Sequence, residues 1–271
     1  MYNVCIDDSI LQEERMMNSV KILTGLALGL FMAASTVQAD TSGNSSTETQ
    51  AKKANTESNS SSKTAKTGGF SYRPPMRGAP AARIGGGTRG IGDKTLELVV
   101  LAPDHTGLTT KEQPTLYWYA SEPVQAQLEV TLINDESIDP QLEQALTTQA
   151  KAGIHSFDLS STTARLKPGM EYRWFVSAIA DKAQRSNDIV ASGTIQRIEP
   201  DKDLSNRIAA ADKGSVANIY AEAGIWSDTI DAISRLINDS PDNSTLMEQR
   251  AALLEQVGLQ AAADYSRVQN R

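Results

Sequence analysis

The run Leu-Lys-Pro-Gly-Met-Glu-Tyr-Arg-Trp-Phe-Val at residues 166–176 constrains the fold of this chain more than any other stretch. Pro168 followed by Gly169 fits a tight turn, because proline restricts φ at one turn position and glycine tolerates the next. Beyond the turn, the alternation of side chains places Tyr172 and Trp174 on one face of a strand. The run therefore predicts a turn that leads into a strand with a buried tyrosine.

Other segments have the length and the β-branched or alternating character of strands, and turn residues separate them. These segments are residues 96–101, 115–120, 126–133, 153–159 and 189–198, and the strand at 172–180 is the sixth. About six short strands with turns between them favour an antiparallel β-sandwich. Residues 139–152 are polar and compatible with a helix, so we interpret them as a connection between the two sheets.

The strand at 115–120 carries aromatic side chains on both faces. Leu116 and Trp118 share the face expected to lie in the core, and Tyr117 and Tyr119 share the other. Exposed tyrosines can form an aromatic platform for a glycan or a peptide. Alternatively, the same two tyrosines are the apolar surface on which later helices dock.

After residue 200 the alternation gives way to helical spacing, and a repeat of two helices is indicated. Gly224 and Gly258 each follow an apolar helix and lie 34 positions apart, which is the tetratricopeptide period. Roughly one and a half units are present, fewer than the three or so that a free-standing array needs. The helices are therefore expected to dock on the sandwich or on another molecule.

Two resemblances refine this prediction of a mainly β protein with a helical tail. Trp118 and the corner from Leu166 to Tyr172 resemble fibronectin type III and related immunoglobulin-like sandwiches. The tail resembles tetratricopeptide pairs, which implies a binding surface on the first helix of each pair, at Asn218, Ala221, Glu222, Glu248, Ala252, Glu255 and Gln256. This surface is acidic and polar. It would suit a positively charged peptide, including the protein's own residues 73–89, or it is simply a solvated face.

The N-terminus has the parts of a secretory signal peptide, predicted at residues 1–39. Lys21 precedes an apolar run of about 13 residues, too short to span a bilayer, and Val-Gln-Ala at 37–39 fits a cleavage site. The acidic residues before Met16 suggest that translation starts at Met16 or Met17. Because Cys5 is the single cysteine, the exported protein would have neither disulfides nor a catalytic thiol.

The mature chain divides by composition into an arm, a sandwich and a tail. Residues 40–90 are predicted to be a disordered basic arm, residues 91–200 the β-sandwich and residues 201–271 the helical tail. Residues 41–90 carry eight Lys and Arg against two Asp and Glu, whereas residues 91–271 carry sixteen against twenty-six. The arm is either a solvated linker or a segment attracted to an anionic envelope surface. No nucleic-acid partner and no transmembrane segment after cleavage are predicted.

Catalytic and metal-binding patterns are weak in this sequence. His105 and His155 are its two histidines, and no spacing typical of a zinc site or of a serine hydrolase surrounds them. The sequence therefore predicts no catalytic residue, metal or cofactor. A hydrolase would require one of these histidines to lie within hydrogen-bond reach of a serine hydroxyl.

Taken whole, several motifs resemble a bacterial envelope family, the domain-of-unknown-function family 928. They are Tyr-Arg-Pro-Pro-x-Arg-Gly-Ala-Pro (72–80), Val-Leu-Ala-Pro-x-His-x-Gly-Leu-Thr (100–109), Glu-Gln-Pro-Thr-Leu-Tyr-Trp-Tyr (112–119) and Arg-Ala-x-Leu-Leu (250–254). The resemblance implies an exported bacterial protein with no assigned activity. Our leading hypothesis is a periplasmic or secreted, non-enzymatic interaction or scaffolding protein with an unknown envelope protein or peptide as its partner. The alternatives are a glycan- or peptide-binding module that uses the aromatic sheet face and, less favoured, a His-dependent hydrolase.

Overall fold

In the part of the chain that the structure describes, ten strands precede five α-helices. The computed structural model describes residues 70–75, 83–84, 89–91, 94–134, 136–137, 139–146 and 150–269. The strands are β1 Arg89–Ile91, β2 Lys94–Leu96, β3 Leu98–Val100, β4 Gly107–Thr109, β5 Thr115–Ala120, β6 Gln127–Asn134, β7 Leu142–Ala145, β8 Gly153–Asp158, β9 Glu171–Ile179 and β10 Ile189–Arg197. The helices are α1 Lys202–Ala210, α2 Lys213–Glu222, α3 Trp226–Asp239, α4 Ser244–Gln256 and α5 Gln260–Val268.

Two sheets form the β part, beside the short β1–β2 hairpin. The larger sheet has the order β4-β10-β9-β6-β7, and the smaller one has the order β3-β5-β8. All pairs are antiparallel except β4, which lies parallel to β10. Val130 of β6 and Ala191 of β10 both lie opposite Val176, which fixes the register of the central strands.

The two sheets pack face to face around one apolar core. Leu98, Leu116 and Trp118 of the smaller sheet contribute to the same cluster as the inward side chains of β6, β9 and β10. Tyr172 at the start of β9 is fully buried, and its hydroxyl accepts a hydrogen bond from the Lys167 backbone N–H at 3.0 Å. The predicted turn and buried tyrosine are thus confirmed.

The helices cover the outer face of the smaller sheet and form a third layer. Val99, Tyr117 and Tyr119 point away from the sandwich core and belong to a second cluster with residues of α2 to α5. The helices pair as α2 with α3 and α4 with α5. Each pair turns through a glycine with positive φ, Gly224 at 75° and Gly258 at 73°, because a residue without Cβ adopts that conformation at little cost.

Two buried carboxylates of α3 join this helical layer to the sandwich. Asp228, 1 % exposed, accepts hydrogen bonds from the hydroxyls of Thr109 and Thr110, at 2.7 Å and 2.6 Å, and from the Thr110 backbone N–H at 2.8 Å. Burial raises the pKa of the Asp228 carboxyl, and these hydrogen bonds oppose that rise. The helix is therefore held at a defined position on β4.

Asp231, one turn further along α3, is at the centre of a second network. Its carboxylate accepts hydrogen bonds from the Tyr117 hydroxyl at 2.9 Å and from Arg235 Nε at 2.9 Å, and it forms an ion pair with Lys111. Burial alone would raise the pKa of Asp231, but its charged and hydrogen-bonding partners outweigh burial and hold the pKa below its usual range. A buried carboxylate is tolerable here because every close neighbour favours the ionised form.

The predicted architecture, strands followed by a C-terminal helical segment, is confirmed as an α+β fold. The likenesses to fibronectin type III and to tetratricopeptide units stay predictions. The interpretation of residues 139–152 as a helix-permissive connection is wrong at Leu142–Ala145, which form the edge strand β7 on β6. Strands β1 and β4 were not predicted either, and the first two residues of β1 lie in the predicted arm. Among the described helices, none is long and apolar enough to cross a membrane.

Candidate functional site

Residues 70–75, which we call the docked segment, lie in an extended conformation against the helical layer. The Tyr72 backbone N–H donates to Gln256 Oε1 at 2.9 Å, and Gln256 Nε2 donates to the Phe70 carbonyl at 3.0 Å. The Arg73 backbone N–H donates to the carbonyl of Ala221 at 3.0 Å. The Gln256 amide thus bonds to the segment as a neighbouring strand would, and α2 supplies a further acceptor.

The side chain of Tyr72 anchors the docked segment. It is 6 % exposed, and its ring packs edge-on against Trp226, with 5.0 Å between centroids. The ring also stacks on His105, and the Tyr72 hydroxyl lies 2.8 Å from His105 Nε2. Burial lowers the pKa of His105, and the negative charge of Asp104 opposes that shift. The imidazole is therefore neutral at pH 7, and its Nε2 shares a hydrogen bond with the Tyr72 hydroxyl, which also donates to the Gly224 carbonyl at 3.5 Å.

Gly224 allows the docked segment to approach the turn between α2 and α3. A Cβ at this position would lie 2.6 Å from the Arg73 carbonyl oxygen and 3.3 Å from the Pro75 nitrogen. Any side chain would displace the backbone of the segment, in addition to the strain of positive φ. The turn glycine thus has a second role as a site of close backbone contact.

Residues 83–84 form a second attachment of the same N-terminal region. Arg83 Nη1 donates to the carbonyls of Ala102 and Val257 at 2.9 Å and 3.0 Å, and Arg83 forms an ion pair with Asp104 at 3.3 Å. Ile84 exchanges two backbone hydrogen bonds with Ser192. Arg83 therefore links the loop after β3 with the end of α4.

These contacts correct the prediction of a disordered arm over residues 40–90. Residues 70–75 and 83–84 are bound to the folded body, because one buried tyrosine and one bidentate arginine contribute contacts that overall composition does not reveal. The remainder of the predicted arm before residue 70 and the predicted signal peptide at 1–39 lie outside the described residues.

Among the binding positions that the tetratricopeptide resemblance implies, Gln256 and Ala221 contact the docked segment. The acidic positions instead have partners within the helical layer. Glu222 accepts hydrogen bonds from Asn218 and from Arg207, both at 3.0 Å. Arg267 contacts Glu248 at 2.9 Å and Glu255 at 2.6 Å, and it holds the pKa of Glu255 below its usual range. Backbone hydrogen bonds and Tyr72, rather than these carboxylates, therefore hold the segment.

Tyr117 and Tyr119 are covered by the helices. Each is 8 % exposed; Tyr117 donates to Asp231, and the Tyr119 ring packs on Tyr265 at 5.6 Å between centroids. The docking interpretation of this sheet face agrees with the structure. An open aromatic platform is not available there, because the chain's own helices occupy it.

The two histidines lie in different environments. His105 belongs to the Tyr72 anchor, whereas His155 of β8 stacks on Trp118 and has its Nε2 2.6 Å from the Lys151 carbonyl. In the described part of the chain, neither imidazole has a hydrogen bond to a serine hydroxyl, and no three His, Cys, Asp or Glu side chains are placed to hold a metal. The arrangement does not favour the hydrolase alternative.

Sequence reasoning missed the roles of Tyr72 and Trp226. The available signal was a lone tyrosine between a phenylalanine and a Pro-Pro pair, since an aromatic anchor beside prolines is typical of a segment that binds in extended form. Trp226 stands two residues after the turn glycine. Its place beside Tyr72 depends on how the helices pack, which sequence spacing does not determine.

A family model described as Domain of Unknown Function (DUF928) matches residues 84–266, more than half of the 271 residues. No curated protein matches the chain. The match begins at residue 84, so the docked segment lies outside it, while His105, Gly224, Trp226 and Gln256, which hold the segment, lie inside.

Proposed function

We propose that this chain, which belongs to the DUF928 family, is an exported, non-enzymatic interaction protein whose helical layer binds extended peptide segments. Since the function of the family is unknown, the proposal is argued from the site itself. The observation that carries this proposal is the binding mode of residues 70–75. The Gln256 amide, the Ala221 carbonyl and the Tyr72 anchor hold the segment in place. The absence of a side chain at Gly224 allows the segment to approach the turn between α2 and α3.

The groove suits a class of peptide rather than a single sequence. Its hydrogen bonds to the segment are directed at backbone groups, which every peptide has, and they select an extended conformation. The cavity between Trp226 and His105 selects one aromatic side chain with a hydroxyl. We therefore infer that a partner offers an extended segment with a tyrosine. Residues 70–75 occupy the groove until this partner segment displaces them.

Location in the bacterial envelope is part of the proposal. It is supported by the signal-peptide pattern at 1–39 and by the cysteine-free composition of the mature chain. N-terminal sequencing of the protein purified from its native host tests it, and the expected first residue is Asp40. A protein that retains its N-terminus and fractionates with the cytoplasm would contradict export.

Peptide binding is tested with the full mature chain. Tyr72→Ala removes the anchor of the internal segment and leaves the groove intact, so we expect it to bind a fluorescent peptide of residues 68–76 saturably. The wild-type chain should bind this peptide at least tenfold more weakly, since its groove is occupied. Adding Gln256→Ala to Tyr72→Ala should lower the affinity for the peptide. Adding Glu248→Gln, a change on the same helix, to Tyr72→Ala should leave this affinity unchanged. Equal binding of a scrambled peptide would contradict the proposal.

A partner in the cell is tested by photo-cross-linking from α4. A photoreactive amino acid at Ala252, next to Gln256, should yield a discrete adduct that increases in the Tyr72→Ala background. The same probe at Asp239, on an exposed end of α3, is the control. Adducts that are identical from both positions, or unchanged by Tyr72→Ala, would mean that the groove does not receive the partner.

A further inference from the structure

The docked segment meets its groove in one register, which is set by hydrogen bonds on either side of Ser71. The Gln256 amide accepts from the Tyr72 N–H at 2.9 Å and donates to the Phe70 carbonyl at 3.0 Å. A neighbouring strand in a parallel sheet bonds to the groups that flank one residue in the same way. The pattern fixes both the residue that lies beside the Gln256 amide and the chain direction of the segment.

Two further contacts hold this register towards the C-terminal end of the segment. The Tyr72 ring lies between His105 and Trp226. The Arg73 backbone N–H donates to the carbonyl of Ala221 at 3.0 Å. Because two consecutive residues are fixed, the segment cannot slide along the helices by one position without losing both contacts. The residue three positions after the tyrosine therefore has a defined neighbour.

That residue is Pro75, and it lies against the backbone of Gly224. A Cβ at Gly224 would lie 3.3 Å from the Pro75 nitrogen and 3.4 Å from Pro75 Cδ, so the proline ring packs on the turn between α2 and α3. Pro75 is half-buried, whereas Pro74 is exposed. The second proline of the pair is therefore the more enclosed one, and its ring lies on the turn glycine.

Proline suits this position for two physical reasons. Its Cδ stands where any other residue has an amide hydrogen, so proline brings no donor to the turn that would need an acceptor. The residue before a proline is also restricted to extended conformations, which lowers the entropy that is lost when the segment is ordered. The position therefore favours proline over a residue of similar size that has an N–H.

The two residues between the tyrosine and this proline contribute little to selection. Arg73 and Pro74 are both exposed. Glu222, which follows Ala221 in the sequence, already forms an ion pair with Arg207 at 3.0 Å. An exposed charge on the segment would gain little from such a pair, since surface ion pairs are weak. The groove therefore selects the spacing of a tyrosine and a proline rather than a charge.

We propose, on the basis of the peptide-binding function above, that the partner segment is of the type Tyr-x-x-Pro. Its tyrosine lies between His105 and Trp226, and its proline lies on Gly224. Residues 72–75 are the chain's own example of this type. A segment that has the tyrosine without the proline is the alternative occupant, and measured affinities distinguish the two.

The test uses the full mature chain with Tyr72→Ala, whose groove is free, and fluorescent peptides of residues 68–76. We expect a peptide with Pro75→Ala to bind at least fivefold more weakly than the parent peptide. Pro74→Ala, the same substitution at the exposed neighbour, should change the affinity by no more than twofold. Equal binding of the Pro75→Ala and parent peptides, or an equal loss of affinity with Pro74→Ala, would overturn the proline preference and leave peptide binding intact. No binding of the parent peptide would overturn both.

The same two substitutions in the intact mature chain provide an independent measurement. Pro75→Ala weakens the chain's own docked segment, so this variant should bind the parent peptide at least threefold more tightly than the wild type does. Pro74→Ala should keep the affinity for the peptide within twofold of the wild-type value. If Pro75→Ala leaves this affinity unchanged, the proline does not contribute to docking and the proposal is overturned.

Discussion

The Tyr72 hydroxyl lies 2.8 Å from His105 Nε2, and this pair links the docked segment to the loop that follows β3. Docking places the Tyr72 ring against the imidazole, and burial disfavours the charged form of the imidazole. Docking of residues 70–75 is therefore coupled to the protonation state of His105.

We predict that the docked segment loosens as the pH falls below about 6.5. Burial lowers the pKa of His105 in the docked state, so the undocked state binds the proton more tightly. The free energy of docking is thus fully present above the ordinary pKa of histidine. It is lost as the pH falls through the lowered pKa of His105 in the docked state. Hydrogen exchange of the Tyr72 and Arg73 amides, corrected for intrinsic rates, measures this change. His105→Gln keeps a side-chain acceptor without titration and should abolish the pH dependence; its persistence would contradict the coupling.

Gly224→Ala should release the docked segment, whereas Gly258→Ala should not. Both glycines have nearly the same positive φ, so each substitution should reduce the free energy of unfolding by about 1 kcal/mol through backbone strain. Only at Gly224 would the new Cβ meet the Arg73 carbonyl, at 2.6 Å; at Gly258 the nearest atom is Arg83 Nη2 at 3.9 Å. Chymotryptic cleavage after Tyr72 reports release. Equal cleavage of the two variants would show that the close contact is unimportant.

Tyr117→Phe should destabilise the protein by about 2 kcal/mol, because Asp231 would lose a hydrogen bond to a buried charge. Tyr119→Phe is the matched control on the same strand face: it is equally buried, and the described contacts show no hydrogen bond from its hydroxyl. Urea unfolding measures the two changes. A smaller loss for Tyr117→Phe than for Tyr119→Phe would be inconsistent with the network around Asp231.

Asp228→Asn should cost about 2 kcal/mol or more of unfolding free energy. The amide nitrogen of asparagine cannot accept from Thr109 or Thr110, so at least one buried donor would be left unpaired. Asp239→Asn, at the exposed C-terminal end of α3, should be neutral or slightly stabilising, since a negative charge is unfavourable there. Guanidinium unfolding compares the two variants, and equal effects would rule out Asp228 as an anchor of the helix.

Local patterns predicted much of the sandwich because they report directly on burial. The alternation at residues 126–133 corresponds to β6 with its inward side chains buried, and the turn before Tyr172 corresponds to a real corner. Strand β7 was missed because Leu-Glu-Gln-Ala favours a helix in isolation. Pairing with β6 overrides that preference, as tertiary contacts often do at a sheet edge.

The candidate site was predicted less completely than the fold. The resemblance to tetratricopeptide pairs indicated the helix faces, and Gln256 and Ala221 do contact a peptide segment. It also suggested charge as the source of attraction, but Arg207 and Arg267 already bind the acidic side chains of those faces. Such pairing depends on residues 12 to 19 positions apart, beyond the reach of helical periodicity.

The sequence by itself determined the class of structure: alternation and turn residues specify strands up to residue 198, and helical spacing with two glycines specifies the paired helices that follow. These features are local, because the backbone geometry of a strand, a turn or a helix depends on neighbouring residues. Only the tertiary structure decided that the helices cover Tyr117 and Tyr119 and that Tyr72 fits between His105 and Trp226. Each of these depends on atoms distant in sequence meeting within a few ångströms, which follows from the packing of whole layers.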